Sequence, residues 1–547
     1  MADNKEAKEE MPMKKTKKLL AVLLAIALAF AVPVSAFAAD GEKTASMAQK
    51  ALLNLSQKAI DCAVGTLASF YPTPKAWKNP DTDTGFMKGT EEFLSAPAEN
   101  AVFSLGYDAR SILTDAYSVI GKMYVGGSIS LKKKLATAIE DDLKVRTAAV
   151  SDSSGRGISV LVSVDAYGLS LPDVREIRQS VAGLAKEKDI NSITVTVLHQ
   201  HSAVDTLGMN GNIFEMALVN PAKVLFGGQT NNGKNDAYMQ NLKLKCKESI
   251  EAAVGSMTEG KLYYGTADQS AYLIDKRAPY VSDSSFNRFR FVPSDGSKET
   301  WLVSTEIHCV GNGAAGTVIT GDYPYYAEQV IHETAGANVL FFMGAQQSTS
   351  QNRNEATVEN YREDMTRLEA MKGFGESIGK SVCAITDETE VAPLLNVRYK
   401  KILLPISNPI LLLAGKAGMF ESLVVKNKEG VFVSTELGYI ELGTDLAFAV
   451  IPGELAPELA YGGCLQGDAS WSGEDWNYPS MQEMIADSGR TLRVLDLAND
   501  QVGYIIPDNN FMPMIAEESN SLELVSLGKK TASCIMGEFA ALIEESR

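Results

Sequence analysis

Histidine is scarce in this chain, with four among 547 residues. Cysteine is scattered through six positions (Cys62, Cys246, Cys309, Cys383, Cys464 and Cys534), and none forms a C-x-x-C pair. That excludes a zinc ribbon and a thioredoxin-like redox motif. Past the amino terminus no apolar run reaches the 18 or so residues of a membrane span. Positive charge is in deficit, 51 Lys and Arg against 68 Asp and Glu, a formal net charge of −17. Such a balance disfavours nucleic acid as an electrostatic partner. No repeat, low-complexity tract or Pro/Ser linker divides the chain. Three tempting motifs also lack a necessary part. Gly311-Asn312-Gly313-Ala314-Ala315-Gly316 is followed by the β-branched Thr317-Val318-Ile319-Thr320, so it opens no helix to receive a pyrophosphate. His332-Glu333 has no second histidine one turn on, which excludes a zincin helix. Ser130-Leu131-Lys132-Lys133 has the S-x-x-K spacing without its companion motifs.

What is present begins with an export signal. Lys14, Lys15, Lys17 and Lys18 precede the apolar stretch Leu19 to Val32, and Ala36-Phe37-Ala38 offers a small-x-small cleavage site. We therefore expect residues 1–38 to be a signal peptide and the protein to be secreted or extracytoplasmic, the uncleaved segment being able to serve as an anchor. Hydrophobic residues make up 45% of the chain, enough for a large core. Residues 39–100 form an amino-terminal extension, helical over much of 41–75 and then rich in proline. From about 101 strands and helices alternate. The pattern predicts strands at Ile158 to Val164, Ile193 to Leu198, 301–310, 338–343, 401–405 and 446–451. It predicts helices at Pro172 to Ala185, Met239 to Val254, 322–333, 355–379 and 530–545. This reads as an α/β protein, a mixed sheet with flanking helices, over 101–547.

Two of the four histidines stand together at the end of one of those strands, in Thr194-Val195-Thr196-Val197-Leu198-His199-Gln200-His201-Ser202. Strand ends in α/β folds are where ligand and metal sites are built. Imidazole is the commonest neutral metal ligand, and alternation along an extended backbone would put His199 and His201 on one face. The bland alternative is a pair of polar residues capping a strand. A third histidine, His308, ends the strand that begins at Trp301.

Read in order, these elements resemble the amino-terminal catalytic region of neutral (non-lysosomal) ceramidases. Val160-Leu161-Val162-Ser163-Val164-Asp165, a helix, and the strand ending in His199-Gln200-His201-Ser202 resemble that family's strand–helix–strand with His-Thr-His-Ser. Lys276-Arg277-Ala278-Pro279 is similar to its Asn-Arg-Ser-Pro. His308 with Gly321-Asp322 and Tyr326-Ala327 is similar to its His…Gly-Asp-Asn-x-Gly-Tyr-Ala. Phe341-Phe342 leading to Ser350-Gln351-Asn352, Pro452-Gly453-Glu454 and Gly503-Tyr504-Ile505 continue the series, which spans about 101–515.

The resemblance implies a zinc hydrolase that cleaves the N-acyl bond of ceramide or a related lipid amide, with transient contact at a membrane surface. It implies His199, His308, Glu454 and Tyr504 as ligands of one zinc ion. His201 would be the proton shuttle, Arg277 would stabilise negative charge, and Ser350 would be the nucleophile, with water activated by the metal as its rival. Two imidazoles and a carboxylate also suit a catalytic zinc on chemical grounds. Departures are evident. The family's Gly-Asp-Val-Ser-Pro-Asn is here Gln347-Ser348-Thr349-Ser350-Gln351-Asn352. His201-Ser202 leads into Ala203-Val204-Asp205 in place of Gly-Pro-Gly. Too few residues follow Tyr504 for the family's carboxy-terminal β-sandwich. An exported binding protein that keeps the fold without turnover, and an amidase for another envelope amide, are the alternative readings.

Overall fold

The computed structural model describes residues 47–547 apart from 79–83, 128–133, 212–222, 224–231, 314–315, 420 and 520–521. The signal segment expected at 1–38 lies outside the described residues. No helix among them is long and apolar enough to cross a membrane.

Two sheets stacked face to face carry the fold. The larger runs through β1 (Phe103–Ser111), β2 (Lys144–Ser151), β3 (Ile158–Val164), β4 (Ile190–Val197), β5 (Thr258–Asp268), β6 (Ser285–Pro293), β7 (Thr300–Thr305) and β8 (Asn338–Met343). Their order in space is β8-β7-β6-β5-β1-β2-β3-β4, and β9 (Glu388–Glu390) pairs with β5. Only β3–β4 and β7–β8 are parallel pairs; the others in this sheet are antiparallel. The second sheet has the order β10 (Leu395–Pro405), β12 (Val431–Leu442), β13 (Leu446–Val450), β14 (Thr491–Leu495), with β11 (Val424–Lys426) on β12. The expected mixed α/β class is therefore observed.

Side-chain alternation explains the layering. On β3, Val160, Val162 and Val164 join one apolar cluster with Tyr238, Leu242 and Ile250 of helix α1 (Asp236–Gly255). Leu161 points the other way, into the cluster shared with Val397, Phe448 and Leu495 of the second sheet. β4 divides in the same way, since Ile193, Val195 and Val197 meet the helices while Thr194 bonds to Tyr399 of β10. The outer face of the second sheet is covered by helix α4 (Thr531–Ser546), through Ile535, Phe539 and Leu542. The order is helix, sheet, sheet, helix.

Two helices differ from their sequence reading. The segment expected from Pro172 to Ala185 is two helices, Leu171–Ser180 and Ala182–Lys188, broken at Val181. The helix expected at 355–379 starts only at Arg367, as α3 (Arg367–Cys383), behind a capping box of Thr366 and Glu369. Before it, Asn354 Oδ1 accepts from the Ala356 amide at 2.9 Å, a local turn that competes with helix. Described residues just before 101 are folded in as well: Thr90 N donates to Val397 O at 2.7 Å, and Phe93 stacks on Tyr439.

Candidate metal centre

All three strand-end histidines converge. β4 stops at Val197, and His199 then adopts a left-handed φ of 54°, turning the chain sharply. The turn, and not extended alternation, brings His199 and His201 together, their rings edge to face with centroids 4.8 Å apart. His308 joins them past the end of β7, with its ring centroid 4.8 Å from that of His199 and 5.0 Å from that of His201. Among the described residues these three form the one group of His, Cys, Asp or Glu whose ligand atoms all lie within 4.8 Å. Each is buried.

Glu454 comes from a separate two-stranded sheet just past the end of β13. Glu454–Leu455 pairs in parallel with Tyr504–Ile505, which sets Glu454 beside Tyr504. Gly503 enables this approach: at φ 84° it runs so close to Val525 that a Cβ would lie 1.9 Å from that carbonyl oxygen. Glu454 Oε2 is 3.4 Å from His199 Nε2 and 3.7 Å from His308 Nε2, and His201 Nε2 is 3.1 Å from His308 Nε2. Two atoms bound to zinc at 2.0–2.1 Å in a tetrahedron stand about 3.3 Å apart, so these spacings suit one shared ion.

The outward atoms are held and the inward atoms are orphaned. His199 Nδ1 donates to Tyr167 O at 2.7 Å, and the Tyr167 ring stacks on the imidazole. His308 Nδ1 donates to Gln346 O at 3.2 Å. Gln501 Nε2 donates to Glu454 Oε1 at 3.2 Å. His199 Nε2 and Glu454 Oε2 are buried without a hydrogen bond. Ligands with their second atom tied down and their first left free are the arrangement of a metal site. Burial holds His199 and His201 well below the usual histidine range and brings His308 down to about 4, so all three imidazoles are neutral at pH 7. Burial also raises Glu454 to about 8, against the opposing hydrogen bonds from Gln501 and Tyr504. The Tyr504 phenol is pushed up by burial and then by the Glu454 charge.

Ser350 lies on Thr349–Gln351, a short strand paired with Leu273–Asp275. It is buried, and its hydroxyl bonds to no described residue. The next residue ties this strand to the centre, because Gln351 Nε2 donates to His308 O at 3.2 Å. Ser348 is engaged elsewhere, donating to Asp275 Oδ1 at 2.7 Å. Arg277 is buried but paired away from the histidines: its Nη2 lies 2.7 Å from both Glu523 Oε1 and Asn510 O. A cleft of about 80 Å³ reaches Glu454 and Tyr504 past Leu207, Met209, Val502 and Leu527, with Lys234 at its wall. Most of the segment Met209 to Gly228 lies outside the described residues. Sequence reasoning missed Tyr167, Gln346 and Gln501. Tyr167 alone gave a signal, two residues past the strand-ending Asp165.

A buried ion network braces the centre. Arg146 Nη1 is 2.9 Å from Asp165 Oδ1, and the guanidinium also holds Glu328. Gln200, between the two histidines, donates to Asp165 Oδ1 at 3.1 Å and to Gly321 O at 2.7 Å.

This architecture is that of the neutral ceramidases. The chain superposes on the neutral ceramidase from Pseudomonas aeruginosa with a TM-score of 0.60 and 14% identity, covering 81% of this chain and 74% of that one. A ceramidase structure complexed with C2 aligns with a TM-score of 0.59 at 14% identity, over 82% of this chain and 76% of that chain. No family model and no curated protein matches the sequence.

Proposed function

We propose that the chain is a metal-dependent amidohydrolase acting on the N-acyl bond of a lipid-like amide. The observation that carries this reading is the pair of orphaned buried atoms, His199 Nε2 and Glu454 Oε2, 3.4 Å apart and flanked by His308. His199, His308, Glu454 and Tyr504 would hold one zinc ion. A zinc ion bound there would supply a Lewis acid for the amide carbonyl.

This chain's own residues divide the remaining work. The Ser350 hydroxyl attacks the acyl carbon while His201 takes its proton. His201 then returns that proton to the departing amine as the C–N bond breaks, and water releases the acyl group by the same exchange. That the Ser350 hydroxyl bonds to no described residue supports this role. Arg277 has a lesser part. Its guanidinium is already paired with Glu523, and its contacts support positioning of the Asn510–Glu523 segment. The lysine-rich, then apolar amino terminus supports export, residues 39–100 as an extension and 101–547 as the catalytic unit.

The changed Gln347–Asn352 segment favours one second reading, a binding protein with the same fold and no turnover. Hydrolysis of a panel of N-acyl amines, short- and long-chain, ceramide included, decides between them. Release of free amine that disappears on chelation and returns with zinc is the expected result. Zinc-loaded protein inert across the panel would sink the hydrolase reading.

A further inference from the structure

The strand beside Ser350 brings a second cation to the metal centre. Thr349–Gln351 pairs antiparallel with Leu273–Asp275, and Ser350 stands opposite Ile274. The Lys276 amide carries the pairing one step further, donating to Ser348 O at 3.1 Å. Side chains alternate along paired backbone, so Lys276 returns to the face that Ile274 and Ser350 share. The pairing then stops. The Arg277 amide turns back onto Asp275 Oδ1 at 3.0 Å, and the Arg277 guanidinium goes to Glu523 and Asn510. Two adjacent cations therefore part company at this turn.

The histidines register which of the two faces them. Burial lowers His308 most; its bond to Gln346 opposes this, and the Lys276 ammonium adds to it. The same ammonium bears on His201, after burial, the other two histidines and Lys134. Lys276 is exposed, so a substrate at the centre can reach it. Ser350, His201, His308 and Lys276 thus surround one volume.

Amide hydrolysis, the reading on which this inference rests, sends negative charge through that volume. As the bond from Ser350 Oγ to the acyl carbon forms, the carbonyl π pair moves onto the acyl oxygen and His201 takes the Ser350 proton. When the C–N bond breaks, the pair returns to remake the carbonyl and the proton passes from His201 to the amine. An ammonium held beside the acyl oxygen stabilises the charged stage and neither gains nor loses a proton.

We propose that Lys276 is a catalytic residue that donates a hydrogen bond to the acyl oxyanion, the role that the family resemblance implies for Arg277. The test compares zinc-loaded parent, Lys276→Met and Lys276→Arg on the best N-acyl amine, and measures octylphosphonate, a tetrahedral anion, by calorimetry. Lys276→Met should keep its zinc and lose about 10²–10³-fold in kcat. Its KM should stay within about threefold, as for an interaction made only in the transition state. Octylphosphonate should bind it about tenfold or more weakly, for one lost charged hydrogen bond. Lys276→Arg, which keeps the charge, should restore most of both losses. Parental kcat in Lys276→Met, a change confined to KM, or loss of zinc would each overturn the proposal. If the parent cleaves no amide, the hydrolase reading falls, and the phosphonate decides for Lys276: equal affinity in parent and Lys276→Met overturns the anion contact, and a tenfold difference upholds it.

Discussion

His201 Nε2 lies 3.1 Å from His308 Nε2, two neutral ring nitrogens facing each other in a buried site. Such a contact is satisfied when one ring carries the proton between them or when a cation replaces it. The second option fits the roles proposed above: a cation at His308 Nε2 occupies its lone pair, and His201 Nε2 is left to take the Ser350 proton.

Purified protein should therefore carry close to one zinc per chain, and His308→Ala should lose it. Gln501→Leu removes the amide that fixes Glu454, and should weaken zinc binding about 10–100-fold. Elemental analysis and competition with a chromogenic chelator measure both. Full zinc affinity in Gln501→Leu would show that Glu454 is oriented by other means.

Zinc binding should release a proton at neutral pH. Without the ion Glu454 titrates at about 8, so it is protonated at pH 7, whereas a ligating carboxylate is ionised. The histidines are already neutral and release none. Calorimetry in buffers of different ionisation enthalpy should find close to one proton released at pH 6–7, and fewer above pH 8. An absence of release at pH 7 would contradict the buried, protonated state of Glu454.

The two serines should separate cleanly. Ser350→Ala should lose amide hydrolysis by about 10³-fold or more and keep zinc. Ser348→Ala should remain active, with a stability loss of about 1 kcal/mol for one lost hydrogen bond, because Asp275 Oδ1 still accepts from the Arg277 amide. Substantial turnover by Ser350→Ala would hand the nucleophile's role to water. Loss of less than tenfold in His201→Ala would remove the proton shuttle, whose removal usually costs about 10²–10⁴.

Arg146→Ala should be among the most damaging single changes. It strands Asp165 without its cation and leaves Glu328 with Lys144 alone, and breaking a buried pair costs about 3–5 kcal/mol. Denaturant unfolding gives the value; a loss under about 1 kcal/mol would mean that water repairs the network.

Asp141 should make the protein less stable as pH rises through mild acid. Burial lifts its folded value to about 6, despite donors from Thr320, Tyr326 and the Gly321 amide. The folded state then holds a proton that the unfolded chain has released, so stability falls between about pH 4 and 6. The size is on the order of 2 kcal/mol, and that component should vanish in Asp141→Asn. Equal pH slopes for parent and variant would refute it.

Much of this was legible in the sequence because strong local patterns coincide with strand ends. The β-branched runs of β3 and β4, the alternating blocks around them and three of the four histidines are readable one residue at a time. The antiparallel middle of the large sheet was not, since β5 and β6 carry residues such as Lys261, Tyr263, Arg288 and Arg290, whose polarity masks a two-residue period. Nor could spacing reveal the turn at His199, because a positive φ at a non-glycine residue is imposed by packing. The partners of the ligands, Tyr167 O and Gln346 O, are backbone atoms and leave no signature in residue type.

The candidate ligands stand at positions 199, 308, 454 and 504, two past strands of the large sheet and two on the short pair that follows strands of the second. No contiguous fragment short of some three hundred residues contains them all, so the centre can exist only once distant parts of the chain have met. The ion would thus act as a rivet at one end of the sheets' seam, which is otherwise apolar contact with scattered polar bonds such as Thr194 with Tyr399. Removing it should loosen the seam at that end and leave the far end, where the Leu395 amide donates to Asp152, as it was.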